Sequence, residues 1–148
     1  MTFKLLIKKV FFIFLFFIVI KANAEESNIK VLMYHRIGDD RYTSTSISRE
    51  LFEKHIEYLI EENINVLPIT ELSKYLKKEI SFTNKTVFIT IDDAYRSFFQ
   101  NGFPILKKNK LPFSIFVSAN YVSNEDDSDF MSWSMLKEVS SNNGLILN

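Results

Sequence analysis

Residues 86–94 read Thr-Val-Phe-Ile-Thr-Ile-Asp-Asp-Ala, and this stretch decides the fold. Its first six residues are apolar or β-branched, which is typical of a strand buried on both faces of a parallel sheet. Two adjacent carboxylates, Asp92 and Asp93, follow at the end of the strand. Ligands of α/β folds bind at the carboxyl ends of the strands. The stretch therefore predicts a parallel sheet and a candidate site at its edge.

The sequence on either side alternates between further strands and helices. Apolar runs predict strands at 29–34, 64–67, 113–118 and 145–147. Apolar spacing of 3.6 residues predicts helices at 49–62, 70–77, 97–109 and 132–141. This order predicts an α/β fold with a parallel sheet covered on both sides, either an incomplete barrel or an open sheet. The last strand has no helix after it, so an unpaired edge and exposed apolar surface are expected.

Apolar stripes identify the side chains expected in the core. The stripe of the first helix comprises Leu51, Phe52, Ile56, Leu59 and Ile60. The second helix, with Thr70 as its expected cap, has an inward stripe of Leu72, Tyr75 and Leu76. Trp133 is assigned to the core, with sugar stacking as the alternative. His55 lies on the first stripe, which favours a core or half-buried histidine over a metal ligand.

The composition excludes several classes of function. The chain has 148 residues, enough for one domain with a core. It has no Cys, so any metal must be bound by His, Asp or Glu rather than by thiolates. The first 24 residues hold four Lys and no acid, which leaves 14 basic and 18 acidic residues in the remainder. A mildly acidic domain lacks the electrostatic footprint of a nucleic-acid-binding protein.

Residues 1–24 have the three parts of a secretory signal peptide. Lysines precede an unbroken apolar run at residues 10–20, and Ala-Asn-Ala at residues 22–24 is a small-x-small cleavage site. A membrane-spanning helix needs about 20 apolar residues, which is longer than this run. The sequence therefore predicts cleavage before Glu25 and a secreted or periplasmic chain. An uncleaved inner-membrane anchor is the alternative.

Asp92 and Asp93 are the first candidates for chemistry. Adjacent like charges at a strand end are costly, and successive side chains of an extended segment point in opposite directions. One carboxylate can therefore serve a metal and the other a proton. The structural alternative is that one caps the next helix and the other is solvated. His35 also follows a predicted strand and would share this rim if the two strands are neighbours; a histidine satisfied within a turn is the alternative.

The acidic run at residues 125–129 raises the alternative of a calcium site. It lacks both the Gly at the sixth position and the Glu at the twelfth position of an EF-hand loop. The run is therefore interpreted as a solvated loop.

Five short motifs occur in order along the chain. They are Leu-Met-Tyr-His-Arg-Ile at 32–37, Thr-Ile-Asp-Asp-Ala-Tyr at 90–95, Phe-Pro-Ile-Leu-Lys-Lys at 103–108, Leu-Pro-Phe-Ser-Ile-Phe-Val at 111–117 and Met-Ser-Trp-Ser-Met-Leu at 131–136. In order and spacing, residues 29–147 resemble the polysaccharide deacetylases of the NodB-homology class. The resemblance implies a distorted (β/α) barrel, here incomplete over residues 25–148, that removes N- or O-acetyl groups from sugar polymers.

The resemblance also implies roles for individual residues. Asp92 would be the general base that takes a proton from the attacking water, and Asp93 would be a ligand of a divalent metal, usually zinc. His35 and Tyr95 would line the substrate site. The Tyr-His-Arg stretch is similar to the subset that acts on poly-N-acetylglucosamine or peptidoglycan-like polymers. The implied partner is a polysaccharide, with no nucleic acid, and with a membrane only if the signal peptide is retained.

Two departures from the family pattern bear on activity. Ala94 stands where the family has Gly, and its Cβ could crowd a tight turn. The family's His-x-x-x-His motif would follow Leu147, so the zinc ligand set is expected to be incomplete in a domain truncated at its C-terminus. Three interpretations stay open: a metal-dependent deacetylase, an inactive remnant that at most binds glycan, and an exported interaction module.

Overall fold

The computed structural model describes residues 28–122 and 128–147. Its strands are β1 (Ile29–Tyr34), β2 (Arg36–Ile37), β3 (Ser46–Ile47), β4 (Asn65–Val66), β5 (Thr86–Asp92), β6 (Phe113–Phe116) and β7 (Gly144–Leu147). Its α-helices are α1 (Arg49–Glu61), α2 (Ile69–Leu76), α3 (Phe103–Lys108) and α4 (Trp133–Ser140). A π-helical turn at Phe98–Gly102 directly precedes α3, so Pro104 lies at the start of a fresh α-helical segment, where it is tolerated.

The main sheet is parallel and is built around β5. Strand β1 pairs with β5 along its whole length, from Ile29 opposite Thr86 to Tyr34 opposite Ile91. On its other edge β5 pairs first with β4 and then with β6, and β6 pairs with β7. The predicted α/β class with a parallel sheet is confirmed. Because the strands are parallel, the carboxyl ends of β1, β5 and β6 lie at one edge of the sheet.

Helix α1 covers one face of the sheet. It begins at Ser48, whose hydroxyl accepts a hydrogen bond from the Leu51 backbone N–H at 3.1 Å. Phe52, Ile56 and Leu59 are buried, as predicted. The prediction is wrong for Leu51 and Ile60, which are 48% and 45% exposed. The helix packs against the sheet through a stripe narrower than the apolar pattern suggests.

The second helix differs more from the prediction. Helix α2 starts at Ile69 after Pro68, so Thr70 lies inside its first turn instead of capping it. Leu76 is 71% exposed and was wrongly assigned to the core. Tyr75 is also largely exposed and stacks on Phe82, with ring centroids 5.4 Å apart. Phe82, from the loop after α2, in turn packs on Phe88 of β5 with ring centroids 6.1 Å apart, so this loop helps the helix to cover β5.

Part of the sheet remains uncovered among the described residues. Val31 and Met33 of β1 are 48% and 61% exposed, and Phe116 of β6 is 43% exposed. The sheet is therefore not fully covered on both sides, whereas the final strand β7, where exposure was expected, is buried or half-buried. Trp133, assigned to the core from the sequence, is instead 55% exposed at the start of α4.

The predicted signal peptide lies outside the described residues. Within residues 28–122 and 128–147, no helix is both long and apolar enough to span a membrane.

Candidate active site

The ends of β1 and β5 bring two predicted site residues together. Because Tyr34 pairs with Ile91, the residues that follow them, His35 and Asp92, lie side by side at the carboxyl edge of the sheet. His35 Nε2 lies 3.9 Å from Asp92 Oδ2, and the two side chains are 28% and 31% exposed. Both groups are therefore accessible to a ligand while remaining close enough for an electrostatic interaction.

Asp93 and Ala94 form a turn directly after β5 in a backbone conformation that L-residues rarely adopt. Their φ angles are +65° and +54°, both in the left-handed region. This region costs about 1–2 kcal/mol for an ordinary residue, although Asp tolerates it better than most. The predicted departure at Ala94 thus falls on a position whose geometry favours glycine, and the methyl group is buried there.

A segment distant in sequence holds this turn. The Met131 N–H donates to the Ala94 carbonyl at 2.9 Å, and the Arg96 N–H donates to the Asp129 carbonyl at 2.8 Å. Tyr95 and Phe130 form an isolated antiparallel bridge between these two bonds. The backbone of the turn at Asp93 and Ala94 is therefore held by residues 129–131.

Tyr95, predicted to line the substrate site, packs among protein side chains. Its ring lies 3.5 Å from the Arg36 guanidinium carbon and stacks on Phe130 with centroids 5.0 Å apart. Burial raises the pKa of the Tyr95 phenol, and the negative charge of Asp93 and a hydrogen bond with it raise this pKa further. Tyr95 thus lies close enough to Asp93 to feel its charge, and its contact with substrate stays a prediction.

Stacked planar groups continue on both sides of Tyr95. The Arg36 guanidinium carbon also lies 3.8 Å from the Tyr42 ring centroid, so this cation contacts two rings. At the other end, Phe130 stacks on Tyr121 with centroids 4.9 Å apart and an interplanar angle of 13°. The stack ties three loops of the carboxyl edge to one another.

Arg36 also belongs to a cluster of charges that the sequence did not reveal. It is 6% exposed, and its Nη1 donates to Asp39 Oδ2 at 3.1 Å. Arg41 hydrogen-bonds Asp39 and also donates to Asp129 Oδ1 at 2.7 Å. The hydrogen bonds from Arg41 are the largest cause that lowers the pKa of both carboxyls, with Arg36 contributing less.

The interpretation of one acidic residue changes as a result. Asp129 was interpreted as part of a solvated acidic loop, but it accepts hydrogen bonds from Arg41 and Tyr42. Residues 125–127 of the run lie outside the described residues. The spacing of Arg36, Asp39 and Arg41 hints at local ion pairs, whereas nothing local indicates a partner 88 residues away.

His55 takes a structural position, as favoured from the sequence. It is half-buried on α1, and its Nδ1 lies 3.0 Å from the hydroxyl of Tyr34. Tyr34 is buried and packs edge-on against Phe52, and burial raises the pKa of Tyr34 to about 12. The tyrosine hydroxyl is therefore neutral and is paired with the histidine.

The described residues do not by themselves fit a complete catalytic metal site. A catalytic zinc ion takes three protein ligands and keeps one open position. Among residues 28–122 and 128–147, no group of three or more His, Asp or Glu side chains is placed to share a metal ion. Asp93 is available as one carboxylate ligand, which is fewer than the chemistry requires.

Comparisons with known proteins agree with this arrangement. Residues 79–147 match the family model for polysaccharide deacetylases. A poly-β-1,6-N-acetyl-D-glucosamine N-deacetylase from Staphylococcus aureus is 28% identical over 135 residues, which cover 80% of this chain and 46% of that protein. The chain thus spans about half the length of the curated relatives it matches.

Solved structures show the same fold. IcaB from Ammonifex degensii superposes with a TM-score of 0.71 at 32% identity, over 80% of this chain and 51% of that one. The deacetylase PplD from Streptococcus pyogenes gives a TM-score of 0.70 at 22% identity, over 81% and 55% of the two chains. These likenesses confirm the predicted NodB-type fold.

Proposed function

This chain belongs to the polysaccharide deacetylase family, and we propose that it hydrolyses acetyl groups from an N-acetylglucosamine-type polysaccharide. One observation carries the proposal: His35 and Asp92 meet at 3.9 Å beside Asp93, at the edge of the sheet where α/β folds bind ligands. The similarity to a poly-β-1,6-N-acetyl-D-glucosamine N-deacetylase supports the substrate class.

In the proposed reaction, Asp92 is the general base. Its carboxylate accepts a proton from water while the water oxygen bonds to the acetyl carbonyl carbon. The carbon–nitrogen bond then breaks, acetate leaves, and the sugar nitrogen takes up a proton to become an amine. His35 lies close enough to orient the Asp92 carboxylate and to contact the sugar, and Tyr95 would hold Asp93.

The family resemblance assigns a divalent metal, zinc by preference, to Asp93. Such an ion polarises the acetyl carbonyl when it is bound. The described residues supply fewer protein ligands than a catalytic zinc ion takes.

An acetate-release assay tests the proposal. The full chain is incubated with poly-β-1,6-N-acetylglucosamine, and free acetate is compared for wild type, Asp92→Asn and Asp40→Asn. A general base contributes about 10²–10⁴-fold to a rate, so Asp92→Asn should abolish measurable release. Asp40→Asn is the matched control because Asp40 is exposed and lies outside the site. Release by Asp92→Asn at the wild-type rate would exclude this role.

A second candidate function is glycan binding without catalysis. The observation that favours it is the lack of a three-ligand metal group among the described residues. This alternative predicts saturable binding of the polymer with no acetate release by any variant. Export of the chain, through cleavage before Glu25, is proposed on the sequence alone.

A further inference from the structure

An apolar pocket lies between α1 and the amino ends of β1 and β5. It has a volume of about 420 Å³, within the ~300–1,000 Å³ typical of ligand pockets. None of His35, Asp92 and Asp93 lines it. A strand rises about 3.3 Å per residue, so Asn28 in the wall of the pocket lies about 23 Å from His35 along the chain. The pocket is therefore separate from the candidate active site.

The strand register explains why the pocket has an apolar floor. Lys30 lies opposite Val87, and alternate residues of a strand point to the same face, so Leu32 and Val87 both face α1. Leu59 of α1 and Ile64 line the pocket from the helix side. Leu59 and Val87 are buried, whereas Leu32 and Ile64 are only half-buried. Part of this apolar surface is therefore left for a ligand to cover.

Two lysines stand at the mouth of this pocket. Lys30 and Lys85 both line it, and both are exposed. Neither ammonium group forms an ion pair within the described parts of the chain. Of the described residues that line the pocket, none is acidic. The pocket therefore combines an apolar floor with positive charge that no protein group neutralises.

A ligand that fits this lining has an apolar chain and an anionic head group. We propose that the pocket binds one linear anionic amphiphile of the fatty-acid class. Its alkyl chain lies against Leu32, Leu59 and Ile64, and each methylene group that leaves water contributes about fourfold to the affinity. Its carboxylate lies at Lys30 and Lys85, whose aliphatic stems can rest on apolar surface while the ammonium groups stay in water. This assignment does not depend on the proposed function.

Titration calorimetry of the full chain with dodecanoate, kept below the concentration at which it forms micelles, tests the proposal. We expect one molecule bound per chain, no detectable binding of the shorter hexanoate, and weaker binding of dodecyltrimethylammonium, which has the same chain length and the opposite charge. The double variant Lys30→Gln/Lys85→Gln should weaken dodecanoate binding about threefold to thirtyfold, the usual contribution of two exposed ion pairs. Lys108→Gln/Lys137→Gln is the matched control, because it removes the same charge from two exposed lysines that do not line the pocket.

A further variant, Met33→Gln, separates the pocket from the other apolar surface of β1, since Met33 is 61% exposed on the opposite face of the strand. Binding that is lost in Met33→Gln and unchanged in Lys30→Gln/Lys85→Gln would overturn the proposal and place the ligand on the open face of the sheet. Equal binding of dodecanoate and either of the two comparison ligands, or equal weakening by the two double variants, would also overturn it.

Absence of dodecanoate binding would overturn the proposal as well. Co-sedimentation of the chain with phosphatidylglycerol vesicles, reduced in Lys30→Gln/Lys85→Gln, would then assign the two lysines to a membrane surface. A dimer in analytical ultracentrifugation would instead assign the pocket to contact with a second copy of the chain.

Discussion

Replacing Arg36 should destabilise the chain far more than replacing Arg41, although both residues bind Asp39. Arg36 is 6% exposed, whereas the side chain of Arg41 is 65% exposed. Removing one member of a buried ion pair typically costs about 3–5 kcal/mol, while exposed ion pairs contribute little. The two variants Arg36→Met and Arg41→Met therefore test whether burial decides the energetics of this cluster.

The expected size follows from the contacts of Arg36. Asp39 would keep its hydrogen bonds to Arg41, so the ion-pair loss should fall at the lower end of its range. The guanidinium also loses two ring contacts, each of about 0.5–2 kcal/mol depending on how far the contact is shielded from solvent. Because Met still fills part of the space, we expect a net loss of about 3 kcal/mol for Arg36→Met. Arg41→Met should cause a distinctly smaller loss.

Urea unfolding of the full chain, followed by circular dichroism, measures both variants. The comparison uses free energies extrapolated to water, with the slope of the transition checked for each variant. Equal losses for Arg36→Met and Arg41→Met would refute the reasoning from burial. A loss below about 1 kcal/mol for Arg36→Met would show that the ring contacts and the hydrogen bond to Asp39 contribute little to the free energy of unfolding.

Three further predictions concern the same framework. The arginine partners of Asp39 and Asp129 lower the pKa values of both carboxyls. Their contribution to stability is therefore present above about pH 4 and should be lost as the pH falls further, with a smaller loss of stability in Asp39→Asn. Urea unfolding midpoints between pH 5 and pH 3 measure this loss. Gly144→Ala should cost about 1–3 kcal/mol in thermal unfolding, because the added Cβ would clash with Val139 Cγ1 and lie 2.9 Å from the Val139 carbonyl oxygen. An unchanged melting temperature would contradict this packing. Ala94→Gly should leave the stability nearly unchanged, since relief of left-handed strain offsets the loss of a buried methyl group. Ala94→Val should lower the free energy of unfolding by more than about 2 kcal/mol. Thermal melts that rank the two variants the other way would exclude strain at this turn.

The sequence was most informative where the signal was local. The run from Thr86 to Ile91 has no charged residue, and only the centre of a parallel sheet buries such a strand on both faces. The same reasoning placed Asp92 and His35 at strand ends. Parallel pairing of neighbouring strands then brings these two residues together without any further information.

The errors share a physical cause. Leu51, Leu76 and Trp133 are apolar and lie on plausible helix faces, yet each is largely exposed. Periodicity identifies a face but not what that face meets, and a short helix beside a partly covered sheet has fewer neighbours than its pattern suggests. The cluster around Arg36 was missed for a related reason, because one of its two carboxylates belongs to a segment far along the chain.

The turn after β5 connects these local and distant features. Asp93 and Ala94 both occupy left-handed conformations, which are costly for Ala in particular, so the turn needs support from elsewhere. That support comes from the segment around Phe130, through backbone hydrogen bonds to Ala94 and Arg96 and through the stacking of Phe130 on Tyr95. The same segment carries Asp129, which binds Arg41 and approaches Arg36. The position of the candidate carboxylates is thus set jointly by a strand end that the sequence reveals and by a packing interaction that only the folded chain creates.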